Sequence, residues 1–463
     1  MPKSITLPLL LILLLLPIIT ALSPNHLRRR KLVHRHLRSL SSPSSSPSPL
    51  YISAASTSPH SHVFHATDFG ADPTGSTDSS SALSSAISAA LSFSHLSLTP
   101  SIPNLGGAEL HLDGGLYLLS SPLSLPSSGN LKIHSGTLLA SNTFPSDRHL
   151  IELNRTTSSY AFEYITLAGL MLDSNFRGGG IAVIDSLRVI IDGCYIVHFT
   201  SVGVLIRNGH DNAIRNCYIG QHITAGSDPA ERSFTGTGIQ LNGNDNAVTD
   251  VIIFSAAVGI LVAGEANVLT GVHCYNKAAA FGGTGIYVKL PGLTQTRIVN
   301  CYLDFTGIVA EDPVQLLISG SFFLGDANVA FKSVNGVING VSVVDNMFTG
   351  RDSGAHNVWL DETAGGFKAV DGVVVDRNSV RRMVGRSTVA RGTAEGNGTM
   401  WTVDFSRVLL FPNRIDKVEY SVVTPSGFPG HAVRSVESNR VVIVSDAAVA
   451  ATVHVEVSQA AGT

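Results

Sequence analysis

Residues 285–310 read GIYVKLPGLTQTRIVNCYLDFTGIVA and alternate between two short apolar patterns. The first pattern, Gly-Ile-x-Val, begins at Gly285 and returns in the form Gly-Ile-x-Ala at Gly307. The second pattern, Ile-x-Asn-Cys-Tyr-Leu, occupies residues 298–303 between these two copies. Each pattern is long enough for one short strand, and the pair recurs after about 22 residues, which is a period typical of repeat architectures.

The same two patterns recur through the middle of the chain. Copies of the first begin at Gly180, Gly203, Gly238 and Gly259, with degenerate copies at Asn328 and Asn357. Copies of the second begin at Ile191, Ile214, Val248 and Val344. The Leu-x-x-Leu-x-Leu frame of a leucine-rich repeat is absent, and a propeller blade needs about 40 residues. We therefore predict an all-β protein, a right-handed single-stranded parallel β-helix whose coils stack about 4.8 Å apart.

The two ends of the predicted β-helix have different patterns. Ser79 to Leu91 is rich in Ala, Ser and Leu and follows Asp78, which predicts a helix that caps the open first coil. After about residue 390 the alternation is that of ordinary strands, which predicts a small antiparallel β module. The predicted organisation is a signal peptide (1–22), a basic Ser/Pro-rich linker or pro-segment (23–60), the β-helix (61–390) and the β module (391–463).

The N-terminus carries the signs of export. Lys3 precedes an apolar run from Ile5 to Ile19 that is too short to span a bilayer, although a membrane anchor is the alternative. Asn154 and Asn397 begin glycosylation sequons, which are used only in secreted chains. We expect a secreted, extracellular glycoprotein, monomeric and with no membrane contact once the signal peptide is removed.

Charge is distributed unevenly between the N-terminal segment and the rest of the chain. The chain has 31 Lys and Arg against 34 Asp and Glu, yet its first acidic residue is Asp68. A basic tail therefore precedes an acidic domain, which argues against nucleic acid as a partner. An acidic substrate would have to be held by a local basic groove rather than by the field of the whole protein.

The cysteines Cys194, Cys217, Cys274 and Cys301 are each followed by Tyr in the second pattern. This repetition predicts one inward-facing column of small side chains. In-register parallel neighbours fit disulfide geometry poorly, so we favour free buried thiols, with Cys194–Cys217 and Cys274–Cys301 disulfides as the alternative. The spacing is that of the coils and not of CxxC pairs, which argues against a metal site.

Charged residues recur at one position of the first pattern, four places after its start. That column contains Arg207, Asn242, Ala263, Lys289, Glu311, Lys332 and Asp361. Its last four members alternate in sign, and acidic residues flank them. Acids for proton transfer beside bases that bind uronates suit an anionic sugar polymer, although such a ladder can also be only a solvated face.

If such a polymer is hydrolysed here, two carboxyl groups are needed, which inverting glycosidases hold about 6.5–9.5 Å apart, and adjacent or next-adjacent coils can supply that separation. Asp304 and Asp326 are the first candidates, because both precede copies of the first pattern on neighbouring coils. The candidate catalytic residues are Asp304, Asp326, Asp312 and Glu311. The candidate substrate-binding residues are Lys289, Lys332, Arg297 and Asp361.

Three stretches carry a resemblance to known proteins. Residues 65–78, HATDFGADPTGSTD, resemble the opening segment of pectin-lyase-like β-helix proteins. Residues 301–313, CYLDFTGIVAEDP, and 323–329, FLGDANV, resemble the plant polygalacturonases of the quartet type, which separate pollen grains by degrading the pollen mother cell wall. The resemblance implies a secreted glycosidase of the cell wall that cleaves polygalacturonate, the backbone of pectin, without a cofactor. We also expect no metal site.

The four catalytic motifs of the main polygalacturonase family are not intact here, so its catalytic residues are not carried over. Residues 325–327, Gly-Asp-Ala, come nearest to one of them. Two other functions therefore stay open. One is a polysaccharide lyase, with a Lys or Arg base and calcium held by Asp304, Glu311 and Asp312. The other is a non-catalytic protein that binds wall polysaccharide.

We expect export to remove about the first 21–23 residues, because the Lys3 and apolar-run pattern ends in small residues at Ala21. N-terminal sequencing of the extracellular protein measures the cleavage point. Extracellular protein that still begins at Met1 would contradict this prediction.

Overall fold

Each coil of the molecule consists of short strands joined by tight corners. In a central coil, the strand Thr284–Val288 is followed by Gly292–Leu293, then by Arg297–Val299 and Tyr302–Asp304. Asn300 and Phe305 form the corners with φ values of 54° and 58°, the left-handed region that turns the chain without lengthening it. The next coil then begins at Ile308. Successive coils pair in parallel, Ile286 with Ile308 and Asp304 with Leu324, which confirms the predicted parallel β-helix.

The computed structural model describes residues 62–93, 96–99, 101–154, 160–222, 235–275, 283–425 and 427–459. The predicted signal peptide and linker lie outside these residues. Within them, no helix is both long and apolar enough to cross a membrane.

Three parallel sheets run along the β-helix of the described residues. The ten-stranded sheet contains Leu123–Leu125, His149–Leu153, Gly179–Ile184, Val202–Arg207, Thr237–Asn242, Val258–Val262, Thr284–Val288, Ile308–Glu311, Val329–Lys332 and Val358–Asp361. The short sheet contains Gly292–Leu293, Pro313–Val314, Val337–Asn339 and Ala369–Asp371.

The remaining strands of the coils form the long sheet. Its strands are Val63–His65, Thr74–Asp78, Leu96–Thr99, Ile102–His111, Leu116–Leu119, Ser128–Ala140, Phe162–Asp173, Ser186–Leu187, Ile190–Asp192, Tyr195–Val197, Ala213–Arg215, Tyr218–Gly220, Ala247–Thr249, Ile252–Phe254, Val268–Thr270, His273–Tyr275, Arg297–Val299, Tyr302–Asp304, Leu317–Ser319, Phe322–Leu324, Ser342–Val344, Met347–Thr349, Val374–Asp376 and Ser379–Arg381. The strand Leu96–Thr99 pairs antiparallel with Ile102–His111.

Both ends of the β-helix are covered. The helix Ser80–Leu91 buries Leu83, Ala86 and Ile87 in the core, and the Asp78 carboxylate accepts the Ser80 backbone N–H at 3.1 Å. A 3-10 helix, Ala66–Phe69, precedes it. At the other end lies an antiparallel sheet of Val389–Asp404, Lys417–Val423, His431–Glu437 and Arg440–Ser458.

Inward columns of apolar side chains form the core. Ile239, Ile260, Ile286 and Ile308 stack in register along the ten-stranded sheet, and each is fully buried. Along the long sheet, Asn212, Asn246 and Asn267 form a buried ladder. The Oδ1 of Asn246 accepts the Asn212 backbone N–H at 3.1 Å, and the Oδ1 of Asn267 accepts the Asn246 backbone N–H at 3.0 Å. These contacts tie neighbouring coils together at a fixed register.

The cysteines do not form the single column that we predicted. All four are buried and free, as we favoured. Cys274, however, lies opposite Ile253 and Leu303, whereas Tyr302 pairs with His273, so that Cys301 aligns with Val272. Cys274 and Cys301 are both followed by Tyr, but Cys274 lies opposite Leu303, two residues after Cys301, so the two cysteines occupy different columns. Burial raises the pKa of the Cys301 thiol to about 11, so this side chain stays protonated and packs as a small apolar group.

Neighbouring positions of the strand Val258–Val262 should tolerate charge very differently. We expect Ile260→Asp to lower the free energy of unfolding by several kcal/mol, because Ile260 is fully buried and the new carboxylate would have no partner. Leu261→Asp is the matched control, since Leu261 faces the outer surface. Thermal denaturation measures both variants, and equal melting temperatures would contradict the register described here.

Candidate functional site

The predicted charged column forms a row on the outer face of the ten-stranded sheet. Glu311, Lys332 and Asp361 are the last residues of their strands and lie opposite one another in register. Lys289 directly follows Val288, which pairs with Ala310, and therefore occupies the same row one coil earlier. The structure thus brings together four of the predicted site residues, spread over the last four coils of this sheet.

A hydrogen-bonded network links three coils within this row. The Tyr287 hydroxyl donates to Glu311 Oε1 at 2.5 Å, and Lys332 Nζ donates to the same oxygen at 3.0 Å and to the Tyr287 hydroxyl at 3.2 Å. Glu311 is only 6% exposed, whereas about a third of the Lys332 side chain is open to solvent. The hydrogen bond to Glu311 raises the pKa of Lys332, so its ammonium stays charged. Burial raises the pKa of Tyr287, which keeps the phenol neutral.

Two aromatic side chains share the outward column beside this row. Tyr287 aligns with Val309, Ala330 and Trp359 on successive coils. Trp359 is 38% exposed, and its indole N–H donates to Asn328 Oδ1 at 3.2 Å. Sequence reasoning missed both aromatics as site residues. Their outward position, between inward residues of the same strands, was the available signal.

Asp326 lies in the turn that leads into the strand Val329–Lys332, at the opposite end of that strand from Lys332. Its carboxylate accepts the backbone N–H of Arg351 at 2.8 Å and the Arg351 Nε–H at 3.0 Å. The side chain is therefore ion-paired with the following coil. Its φ of 71° is in the left-handed region, which Asp tolerates better than most residues.

Asp312 is buried and has a structural role. Its Oδ1 accepts the backbone N–H groups of Val334, Gly336 and Val337 at 3.0, 3.2 and 3.3 Å. Its Oδ2 accepts the backbone N–H of Asn335. The carboxylate thus holds the turn of the next coil and is 1% exposed, so a substrate has no access to it.

Asp304 and Arg297 lie on the long sheet, away from the row on the ten-stranded sheet. Asp304 aligns with Tyr275 and Leu324, and Arg297 with Val268 and Leu317. The expected pairing of Asp304 with Asp326 is not found. The strand partner of Asp304 is Leu324, and Asp326 lies two residues beyond Leu324, in the turn. A shared calcium site of Asp304, Glu311 and Asp312 does not fit either, because Glu311 and Asp312 are held by different partners.

The two predicted glycosylation sites are both exposed. Asn154 follows the strand His149–Leu153, and Asn397 lies within the strand Val389–Asp404. The sequon residues Arg155 and Thr156 lie outside the described residues. Attachment of a glycan at either asparagine stays a prediction.

Comparisons with known proteins agree on the family. Residues 63–304 match the model of the rhamnogalacturonase A/epimerase, pectate lyase-like family. Polygalacturonase QRT3 of Arabidopsis thaliana is 55% identical over 447 residues, which cover 95% of this chain and 92% of that protein.

Solved structures share the fold at low sequence identity. The ORF18 protein of Geobacillus virus E2 matches with a TM-score of 0.52 and 12% identity, covering 84% of this chain and 78% of that one. PfbA, a surface adhesin of Streptococcus pneumoniae, matches with a TM-score of 0.51 and 14% identity, covering 69% and 84%. At this low identity, the two matches support the β-helix fold alone. The family model and the Arabidopsis relative go further, and this chain belongs to the rhamnogalacturonase A/epimerase, pectate lyase-like family, with the quartet-type plant polygalacturonases.

Proposed function

We propose that this protein is a glycoside hydrolase that cleaves polygalacturonate on the outer face of the ten-stranded sheet. The observation that carries the proposal is the network of Tyr287, Glu311 and Lys332, in one row with Lys289 and Asp361. Pectin degradation is also what the name of the Arabidopsis relative supports. From the N-terminal pattern and the resemblance, we infer that it acts outside the cell, on the wall of the pollen mother cell.

Lysines and aromatics on this face suit the binding of an acidic sugar chain. Lys289 is exposed and Lys332 is partly exposed, so their ammonium groups are available to uronate carboxylates. Tyr287 and Trp359 offer ring surface between these charges, and sugar sites commonly combine apolar walls with a few polar groups. Together these four side chains would hold the polymer along the coil axis.

Glu311 and Asp361 are the carboxyl pair best placed for hydrolysis. They occupy one row two coil steps apart, or about 9.6 Å between backbone positions, just above the about 6.5–9.5 Å range of carboxyl separations in inverting glycosidases. One carboxyl group would protonate the leaving glycosidic oxygen as its bond to the anomeric carbon breaks. The other would take the proton of the water that attacks that carbon. Asp304 and Asp326, the pair expected from the sequence, do not align in this way.

Removing the Glu311 carboxylate should slow turnover strongly. We expect Glu311→Gln to lower kcat by about 10²–10⁴-fold, which is the effect of losing a general acid or base. Gln keeps the shape of the side chain, but its amide cannot donate or accept the proton that the reaction transfers. Release of reducing ends from polygalacturonic acid measures the effect. Arg297→Ala on the long sheet is the control and should keep activity, since Arg297 is remote from the row.

The outcome that would contradict this assignment is specific. Near-normal cleavage by Glu311→Gln, together with loss of cleavage in the double variant Asp304→Asn, Asp326→Asn, would move the site to those two residues. No reducing-end release by the wild-type protein would favour the non-catalytic wall-binding alternative.

A lyase is the second candidate, and one contact favours it. Lys332 Nζ lies 3.2 Å from the Tyr287 hydroxyl. As the base of an elimination, one of these two groups would first have to give up its own proton, and it would then take the proton next to a uronate carboxylate while the neighbouring C–O bond breaks. This elimination leaves a carbon–carbon double bond in the product. We expect hydrolysis instead, with no rise in ultraviolet absorbance from unsaturated uronate and no loss of activity in a chelator. An ultraviolet signal that grows with the reducing ends would establish the lyase.

A further inference from the structure

Histidines stack on the outer face of the long sheet at the first coils, far along the chain from the charged row. His65 ends the strand Val63–His65 and lies opposite His111, which ends Ile102–His111. His111 in turn lies opposite His134 in the strand Ser128–Ala140. Because Glu109 and His111 alternate with buried Leu110 and Ala108, these histidines all face outward. The proposed reaction uses none of them.

One carboxylate oxygen joins two of these histidines. The Oδ1 of Asp113 lies 2.7 Å from Nδ1 of His65 and 2.7 Å from Nδ1 of His111. Asp113 has a φ of 53°, so the chain turns sharply after Leu112 and carries this carboxylate back over the strand ends. The possible ligand atoms of His65, His111 and Asp113 all lie within 4.8 Å of one another. Three side chains thus converge on one point.

The contacts of His111 favour a cation at that point. The backbone N–H of Asp113 donates to Nδ1 of His111 at 3.0 Å, which favours the tautomer with a lone pair on that nitrogen. The same nitrogen is 2.7 Å from the Asp113 carboxylate oxygen, which is also an acceptor. Two acceptors at this distance repel each other unless they share a proton or bind one metal ion together. A metal ion would satisfy His65 at the same time.

We infer that His65, His111 and Asp113 form a binding site for a divalent transition metal ion of the zinc type. Two imidazole nitrogens and one carboxylate oxygen suit zinc, whereas magnesium and calcium prefer oxygen ligands alone. The side chains are 47%, 33% and 29% exposed, which leaves room for water as a further ligand.

His134 lies beside the site but does not contribute a ligand to it. Its Nε2 is 3.0 Å from Glu109 Oε2 and its Nδ1 is 2.9 Å from Ser135 Oγ, so both ring nitrogens are engaged. The ring packs edge-on against His111 with centroids 4.6 Å apart. His134 therefore orients the His111 ring, and the same stack supplies a control that has no ligand role.

The site would fasten the start of the β-helix. The strand Val63–His65 is the first described element of the chain, and its described strand pairing is with Ile102–His111. An ion shared by His65, His111 and Asp113 would hold that strand to the second coil and to the turn after it. Since such an ion binds the folded state alone, it would stabilise this end of the molecule by mass action.

Metal binding by the purified protein tests the inference. After chelator treatment and dialysis, the wild-type chain is titrated with Zn²⁺, and Co²⁺ serves as the spectroscopic probe of nitrogen and oxygen ligation. The chain has 17 histidines, several of them in the N-terminal segment, and these could bind further metal ions. The test is therefore the difference in bound metal between the wild type and each variant, and not the total amount of metal bound. We expect His65→Gln, His111→Gln and Asp113→Asn each to lose about one ion per chain and its Co²⁺ absorbance.

His134→Gln is the matched control and should keep the ion. Asp113→Asn preserves the backbone turn, because Asn also tolerates positive φ, so its loss of metal would not arise from misfolding. In the wild-type protein, Zn²⁺ should also slow hydrogen exchange in the strand Val63–His65. Equal binding by the wild type and the three ligand variants, or equal loss in His134→Gln, would overturn the inference. Both readouts are independent of pectin cleavage.

Discussion

The hydrogen-bonded register between successive coils is the constraint on which the rest of this structure depends. Parallel strands about 4.8 Å apart place equivalent residues of every coil in columns, and each column is either buried or exposed along its whole length. The buried ladder of Asn212, Asn246 and Asn267 reinforces that register, because each side-chain oxygen accepts a backbone N–H from the previous coil. A slip of one residue would turn every inward side chain to the solvent.

The same register builds the candidate site. Glu311, Lys332 and Asp361 are far apart in sequence, yet they share one row because each ends an equivalent strand. Tyr287 reaches that row diagonally and gives Glu311 a second donor. A buried carboxylate needs such partners, since an unpaired charge at 6% exposure would be costly. Folding thus places acids and bases together with no need for a flexible loop.

Much of the fold and part of the candidate site could be predicted from the sequence, because the repeat shows which positions of successive coils are equivalent. The β-helix, the inward isoleucines such as Ile286 and the charged row follow from counting along each copy. Coil length varies, however, and counting failed where turns differ: Cys274 lies two positions from its expected column, and Asp326 lies beyond the partner of Asp304. Asp312 was a candidate beside Glu311, since a pattern of letters does not reveal that a turn of the next coil encloses its carboxylate. His65 was missed because it precedes the repeats.

A crystal structure of the Glu311→Gln variant with a bound galacturonate oligosaccharide tests the central claim most directly. The account predicts that the sugar lies along the coil axis on the ten-stranded sheet, with its carboxylates at Lys289 and Lys332 and its scissile bond between residues 311 and 361. Density for the sugar on the long sheet beside Arg297 and Asp304, or on the C-terminal antiparallel sheet, would contradict it.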